Sequence, residues 1–445
     1  MMKWPTIAVT ALALLGVSLL TTPVRAAEAR SPEPYSGDML TRSALTGDWG
    51  GFRNDLSAKG VTFDASVTQI KQGVVRGGKN GSWEYGGRGV LNTVVDTQKL
   101  GLWPGGFLSV ELEGNWADSV NNKVGSLSPV NTNAAFPLPG GENVGLPQLS
   151  FAQFVSPYAG VTVGKFDTFA AGDNNALAHG KGDTGFFNLS LNVNPTLLVV
   201  PYSPLGAGAI VLPTKDPHQA LVTFLVVSAN GQANTAGFDD FHGALLNAEG
   251  RVRTDFLGLG GHQLVGGVYS NKKYTSLDQR IASVVENGEL ATKRDTWAAY
   301  YNFDQSLYEI DTNAEKGVGV FGRFGASEGQ PNPVQYFYSL GVVGRGLVPT
   351  RDLDQLGVGY FYSSIRNPTL QLTSGGTQSF LRDEWGVEVY YNIAVTPWLL
   401  VTPDVQVVGP AQRHPLGHDS QGQPVLEPDH IGTATVLGLR GQVLF

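Results

Sequence analysis

Apolar and polar residues alternate one by one along much of the chain. From Gly106 to Trp116, Leu108, Val110, Leu112 and Trp116 fall on one face, and Ser109, Glu111, Glu113 and Asn115 on the other. A period of two is that of a β-strand. The pattern returns in Val387, Val389, Tyr391 and Ile393 against Glu388, Tyr390 and Asn392. It returns again in Leu399, Val401, Val405 and Val407 against Thr402, Asp404 and Gln406. Carboxylates recur on the polar face, and burying an unpaired charge in a sandwich core costs on the order of several kcal/mol. One face therefore calls for water and the other for hydrocarbon, the pattern of a transmembrane β-barrel.

The alternation predicts sixteen strands, near residues 61–74, 84–98, 105–117, 146–155, 160–168, 206–213, 219–229, 243–256, 262–270, 293–303, 316–326, 334–345, 354–364, 383–394, 398–408 and 433–445. The predicted fold is all-β, a 16-stranded antiparallel transmembrane β-barrel over residues 61–445. Turns rich in Pro and Gly (Leu102-Trp103-Pro104-Gly105, Ser156 to Gly160, Lys215-Asp216-Pro217, Thr396-Pro397-Trp398) alternate with long connections near 117–145, 168–205, 271–292, 364–382 and 409–432. Short periplasmic turns and long extracellular loops give that phase. In the last segment Phe445, Val443, Leu439 and Leu437 share a face, while Gln442 and Arg440 point the other way. A terminal aromatic on the apolar face resembles the signal by which outer-membrane barrels are recognised for assembly. Phe445 is the candidate residue, with the assembly machinery and outer-membrane lipids as expected partners.

The N-terminus has another character. Lys3, an apolar run from Ile7 to Leu20 and Val24-Arg25-Ala26 form a secretory signal peptide over residues 1–26, with a cut after Ala26. Residues 27–60 form a periplasmic segment with a short helix, in which Asp48 is placed to cap, Phe52 and Leu56 lie one turn apart, and Gly60 ends it. This helix either plugs or braces the barrel base, or simply leads into the first strand. The longest nearly unbroken apolar run after residue 26, Ala220 to Ala229, is too short for a membrane helix.

Composition narrows the function. The chain has 445 residues, 42% of them apolar, and no cysteine, so thiolate metal sites and disulfides are excluded. Its formal charge of −8, without a basic run, argues against nucleic acid as a partner. A sixteen-strand barrel is wide enough for an aqueous channel, which makes passive diffusion the expected activity, with no cofactor. The long connection near 168–205, carrying Phe186, Phe187, Asn188, Asn192 and Asn194, is a candidate constriction loop. Sugar passage needs side chains that hydrogen-bond hydroxyls without retaining them. The inward-parity candidates are Arg88, Glu111, Glu113, Arg323, Glu388 and Tyr390. Lys165 joins them if a bulge or strand end turns it inward, because it shares parity with Val161 and Val163. Trp103, Trp116 and Trp398 read as interface girdle.

Four motifs carry a family resemblance. Leu45-Thr46-Gly47-Asp48-Trp49-Gly50-Gly51-Phe52-Arg53, Asp96 to Gly101, Val163-Gly164-Lys165-Phe166-Asp167, and Ala394 to Leu399 leading to Thr402-Pro403-Asp404 together resemble the OprB-type carbohydrate-selective porins. The resemblance implies a sixteen-strand bacterial outer-membrane barrel that passes sugars such as glucose, as monomer or homotrimer. It assigns no eyelet residue.

Other signals carry less. Gly317 to Gly322 matches a dinucleotide fingerprint, but Arg323-Phe324-Gly325 follows instead of a helix. His414, His418 and His430 with Asp419 and Asp429 lack regular metal-ligand spacing, and Gly172-Asp173-Asn174-Asn175 to Asp183 lacks the EF-hand spacing. No metal is expected. No nucleophile elbow or His-Glu-x-x-His helix is present, so the chain is not expected to be an enzyme. A general small-solute porin, an outer-membrane barrel enzyme and a surface interaction protein remain the alternatives.

Overall fold

The computed structural model describes residues 35–445, apart from 141, 172–174, 239–241, 281–287, 312, 372–376, 379, 415, 419–423 and 427–429. The signal-peptide segment, Asp419 and Asp429 lie outside the described residues. Among the described residues sixteen antiparallel strands close into one barrel. They are β1 (Val61–Gly78), β2 (Trp83–Asp96), β3 (Gly106–Ala117), β4 (Asn143–Ser156), β5 (Ala159–Lys165), β6 (Leu205–Val211), β7 (Ala220–Ser228) and β8 (Ala244–Phe256). The circuit continues through β9 (Leu259–Thr275), β10 (Thr292–Ile310), β11 (Asn313–Ser327), β12 (Val334–Arg345), β13 (Gln355–Ile365), β14 (Glu384–Thr396), β15 (Leu399–Gly409) and β16 (Gly432–Leu444). Pairing of β16 with β1, from Ser66 opposite Leu444 to Gly78 opposite Gly432, closes it. No described helix is long and apolar enough to cross a membrane.

Each of the sixteen predicted segments forms a strand. The largest boundary differences are in β9 and β10, which run on to Thr275 and Ile310. Past the hydrocarbon layer both faces of a strand meet water, so the alternation fades while the hydrogen-bond ladder continues. The turns at 97–105, 157–158, 212–219, 257–258, 346–354 and 397–398 share one end of the barrel, and the long connections the other. The connections 79–82 and 328–333 at the long end are short. Small strand pieces within the long loops pair apart from the barrel, Leu416–His418 with Pro424–Leu426 among them.

The alternation separates outside from inside. In β3, Leu112 faces outward while Ser109, Glu111, Glu113 and Asn115 are buried inside; in β14, Val387 and Val389 are exposed while Glu388, Tyr390 and Asn392 are buried. Strand β7 departs from the rule. Phe224 and Val226 face outward, yet Leu221 and Val227 are buried on the inner face. The apolar run Ala220–Ala229 thus has two apolar faces, because its inner side packs on a loop inside the barrel rather than on water.

The predicted N-terminal helix is α1 (Phe52–Ala58), and Gly60 follows it at φ +90°. Asp48 is not its cap. The N-cap residue is Gly51, and Asp48 instead accepts hydrogen bonds from Ser36 Oγ (2.8 Å) and the Gly50 amide (3.1 Å). The segment braces strand ends: Leu45 N donates to Leu444 O (2.8 Å), Trp398 Nε1 to Met39 O (2.7 Å) and Arg53 to Phe63 O (2.6 Å). The Arg53 guanidinium lies 3.7 Å from the Tyr35 ring centroid, and burial with the nearby Asp64 carboxylate pushes the Tyr35 phenol up to about 12.

Candidate functional site

Two long connections turn into the barrel and fill much of its interior. The larger, 166–204, carries the predicted constriction residues Phe186, Phe187 and Asn188, all buried. Its docking surface is the inner face of β10–β16 and β1–β3. Glu388 accepts hydrogen bonds from the backbone amides of Phe187 (2.5 Å) and Asn188 (2.9 Å), and Asn188 Nδ2 donates to Gln406 Oε1 (3.1 Å). Arg323 donates to Leu191 O (3.0 Å) and Ala178 O. Arg440 donates to Gly182 O and Gly185 O (both 2.9 Å), and its guanidinium lies 4.2 Å from the Phe187 ring centroid. Phe186 meets Tyr390 edge-on at 4.8 Å and Phe321 at 5.6 Å. A loop without regular structure leaves backbone groups unpaired, and these arginines and this glutamate satisfy them with charge-assisted hydrogen bonds.

Glycines on the inner wall make room for the loop. A Cβ on Gly359 would come within 2.7 Å of Leu191, and one on Gly325 within 2.5 Å of the Asn194 and Thr196 side chains. In the glycine-rich run that mimics a dinucleotide fingerprint, Gly319 belongs to the same seat, since a Cβ there would come within 2.7 Å of Leu177 of the inner loop. The second loop, 118–142, was not predicted to turn inward. Glu384 receives the amides of Leu127 (2.7 Å) and Ser128 (3.1 Å), and Val130 O accepts from Gln72 (3.3 Å) and Gln406 (2.9 Å).

A buried charge network joins both loops to the wall. Lys181 reaches Glu111 (2.8 Å), Glu113 (2.5 Å) and Asp167, and donates to the Tyr202 hydroxyl (2.7 Å), which donates onward to Glu113 (2.7 Å). Arg88 pairs with Glu113 (2.8 Å) and Asp183, and Asp183 accepts from Asn133 of the second loop (2.7 Å). Phe136 and Phe169 pack around Tyr202 at 4.6 and 5.8 Å. Burial alone would lower the Lys181 pKa, but Asp167, Glu111 and Glu113 outweigh it and raise it. The carboxylates of Glu111, Glu113 and Asp167 lie close enough together to hold a cation, and the chain's own Lys181 ammonium occupies that place.

The sequence candidates therefore face inward, but into loop rather than channel water. Arg88, Glu111, Glu113, Arg323, Glu388 and Tyr390 are all at most 2% exposed. Parity distinguishes inside from outside and does not report what covers the inner face. Lys165 is also inside, where the alternation breaks at Gly164 (φ 136°), and its ammonium meets Ala233 O (3.3 Å) and Thr235 O (2.5 Å) of the loop after β7. The residues not singled out were Lys181, Asp183, Tyr202 and Glu384. Asp167 closes a quoted motif, Arg440 has inward parity on β16, and Glu384 shares the inward parity of Glu388 at the start of β14, so these three left a signal; Lys181, Asp183 and Tyr202 lie in a loop, where there is no parity to read. Of the run Gly172 to Asn175, positions 172–174 lie outside the described residues, and Asn175 Nδ2 donates to Phe303 O (2.8 Å). The His414 and His430 rings lie 4.4 Å apart.

Opposite the loop, the inner face of β5–β10 stays partly open. A cavity of ≈ 100 Å³ lies between it and the loop segment 193–200. A row of polar groups crosses its wall: Asn247 Nδ2 donates to the Tyr300 hydroxyl (3.1 Å), which donates to Glu249 (2.8 Å), and Arg251 lies beside them.

A family model described as "Carbohydrate-selective porin, OprB family" matches residues 81–445. The chain belongs to the OprB family. The matched span includes the motifs from Asp96 onward, whereas the Leu45–Arg53 motif precedes it. The high-pH structure of Pseudomonas putida OprB superposes with a TM-score of 0.73 at 21% identity, covering 91% of this chain and 98% of that one. The low-pH structure of the same porin gives 0.54 at 18% identity, with the same coverage. These likenesses show the shared barrel fold. No curated protein matches the chain. Family membership makes this OprB protein a carbohydrate-selective channel of the bacterial outer membrane rather than an enzyme.

Proposed function

We propose that the barrel passes neutral sugars such as glucose down their concentration gradient through the space between the inner loop and β5–β10. The supporting observation is the row Asn247, Tyr300, Glu249 and Arg251 beside that opening, which offers donors, acceptors and both signs of charge. Such a wall hydrogen-bonds hydroxyls in passing and presents little net field to an ion. The buried candidates Arg88, Glu111, Glu113, Lys165, Arg323, Glu388 and Tyr390 take a different part: they shape the opening by holding the loops that narrow it. In reconstituted proteoliposomes, glucose is expected to swell the vesicles faster than amino acids of matched size. Equal rates would make the protein a general porin.

Phe445 is proposed to act in assembly, with the barrel machinery and outer-membrane lipids as partners. Its amide donates to Ala65 O on β1 (2.8 Å), so it completes the seam of the barrel while its ring stays partly exposed. Deleting Phe445 is expected to reduce the heat-modifiable, folded fraction in outer-membrane extracts several-fold. An unchanged fraction would refute this role.

A further inference from the structure

We infer that the cavity beside β5–β10 is a subsite for the apolar aglycone of a glycoside, such as an aryl or short alkyl glucoside. The inference rests on the sugar-diffusion assignment and extends it to substrate class. The wall of a water-filled barrel is ordinarily polar. Here Ile210, Leu221, Leu225, Leu264 and Val268 line it from the inside, all of them buried or nearly so. Facing them, Leu197, Leu198 and Val200 come from the inner loop. Packing against that loop accounts for some of this apolar surface, but it leaves the space of ≈ 100 Å³ unfilled. Protein interiors otherwise close to near-crystalline density, and in this half-open space water against the leucines has few polar partners, so a ring-sized apolar group can displace it favourably.

The charged groups lie along one flank, where Asn247 and Glu249 meet at the Tyr300 hydroxyl; Thr162, Thr168 and Asn194 also line the space but donate to the carbonyls of Phe151, Pro201 and Phe324, and Thr223 adds a further hydroxyl. A bare hexose carries hydroxyls around its whole rim and would lose hydrogen bonds to water wherever it met the leucines. A glycoside divides in the same way as the cavity, with its sugar on the Asn247–Glu249 side and its aglycone among Leu197, Leu225 and Leu264. Binding in such a channel must stay weak enough for release, so the signature is a transient block rather than tight retention.

The test records ion current through the full-length protein in planar bilayers while glucose, methyl, propyl and hexyl glucosides and phenyl β-glucoside are titrated in. The half-blocking concentration of phenyl glucoside is expected to lie about tenfold or more below that of glucose, and to fall by up to about fourfold per added methylene in the alkyl series until the cavity is full. These measurements use the unaltered protein and do not depend on a variant folding. Leu225→Asn and Leu264→Asn, in channels that still open, are expected to erase the aglycone gain, whereas Leu264→Met retains it. Half-blocking concentrations independent of the aglycone, or a gain that persists in both Asn variants, would overturn the inference. If proteoliposomes exclude glucose while phenyl glucoside still blocks the current, the diffusion assignment fails and the subsite stands. If glucose passes and the aglycone has no effect, the subsite fails and the assignment stands.

Discussion

Lys181→Met is expected to release the inner loop and to enlarge the channel. The substitution keeps most of the side-chain volume but removes the ammonium that meets Glu111, Glu113 and Asp167, all buried. Breaking a buried ion pair by deleting one partner costs about 3–5 kcal/mol, because the remaining charge has lost its counterion. Arg88 still neutralises part of Glu113, so the strain falls on Glu111 and Asp167. Asp167 lies at the root of the loop, at the end of β5, and once repelled it carries the loop away from the wall. Single-channel conductance in planar bilayers should rise, with noisier open levels, and the folded band on semi-native gels should convert at a lower temperature. Lys181→Arg, which keeps the charge, should retain most of the wild-type conductance. If Lys181→Met leaves both conductance and heat stability unchanged, the charge network does not hold the loop.

The double substitution Arg323→Ala with Arg440→Ala should have a comparable effect from two other strands of the wall, β11 and β16. These guanidiniums donate to the carbonyls of Ala178, Leu191, Gly182 and Gly185, which otherwise have no strand ladder to join. Hydrogen bonds to charged groups contribute about 1.5–3 kcal/mol each, and an orphaned buried carbonyl adds a desolvation cost of its own. The barrel itself should still close, because β16 keeps its backbone ladders to β15 and β1. The expected outcome is thus a folded, heat-modifiable protein with raised conductance and weakened discrimination between glucose and larger sugars in the swelling assay. Wild-type discrimination in the double variant would show that Glu388 and the charge network position the loop without help from the arginines.

The two variants probe different contacts of the same loop, and the difference matters for how the site was readable. Glu111 and Glu388 are legible as inward-facing because lipid forces a strict period of two onto any strand that crosses it. Lys181 and Asp183 lie in a loop, where no period constrains which way a side chain points. Their partners were visible in the sequence, and they themselves were not. The same reason explains the apolar inner face of β7. Leu221 and Val227 break the alternation because they pack beneath the loop, which is why Ala220 to Ala229 forms the longest nearly unbroken apolar run after residue 26. Asp48 failed as a helix cap for a local reason: Gly51 at φ 91° takes the turn into the helix, leaving Asp48 to bind Ser36 and Gly50.

By itself the sequence determined the sixteen strands, which side chains face lipid and which face inward, and the family to which the chain's motifs belong. These are consequences of short-range periodicity and of a solvent that penalises every polar group turned toward it. The tertiary structure alone decided that two long loops occupy the interior, that Arg88, Glu111, Glu113, Arg323, Glu388 and Tyr390 grip those loops instead of lining open water, and that the remaining space lies along β5–β10. Contacts between Lys181 and Glu111, or between Glu388 and Phe187, join residues far apart in sequence and depend on the closed barrel to bring them together. Periodicity assigns a side chain to a face, and only the packed molecule supplies what that face touches.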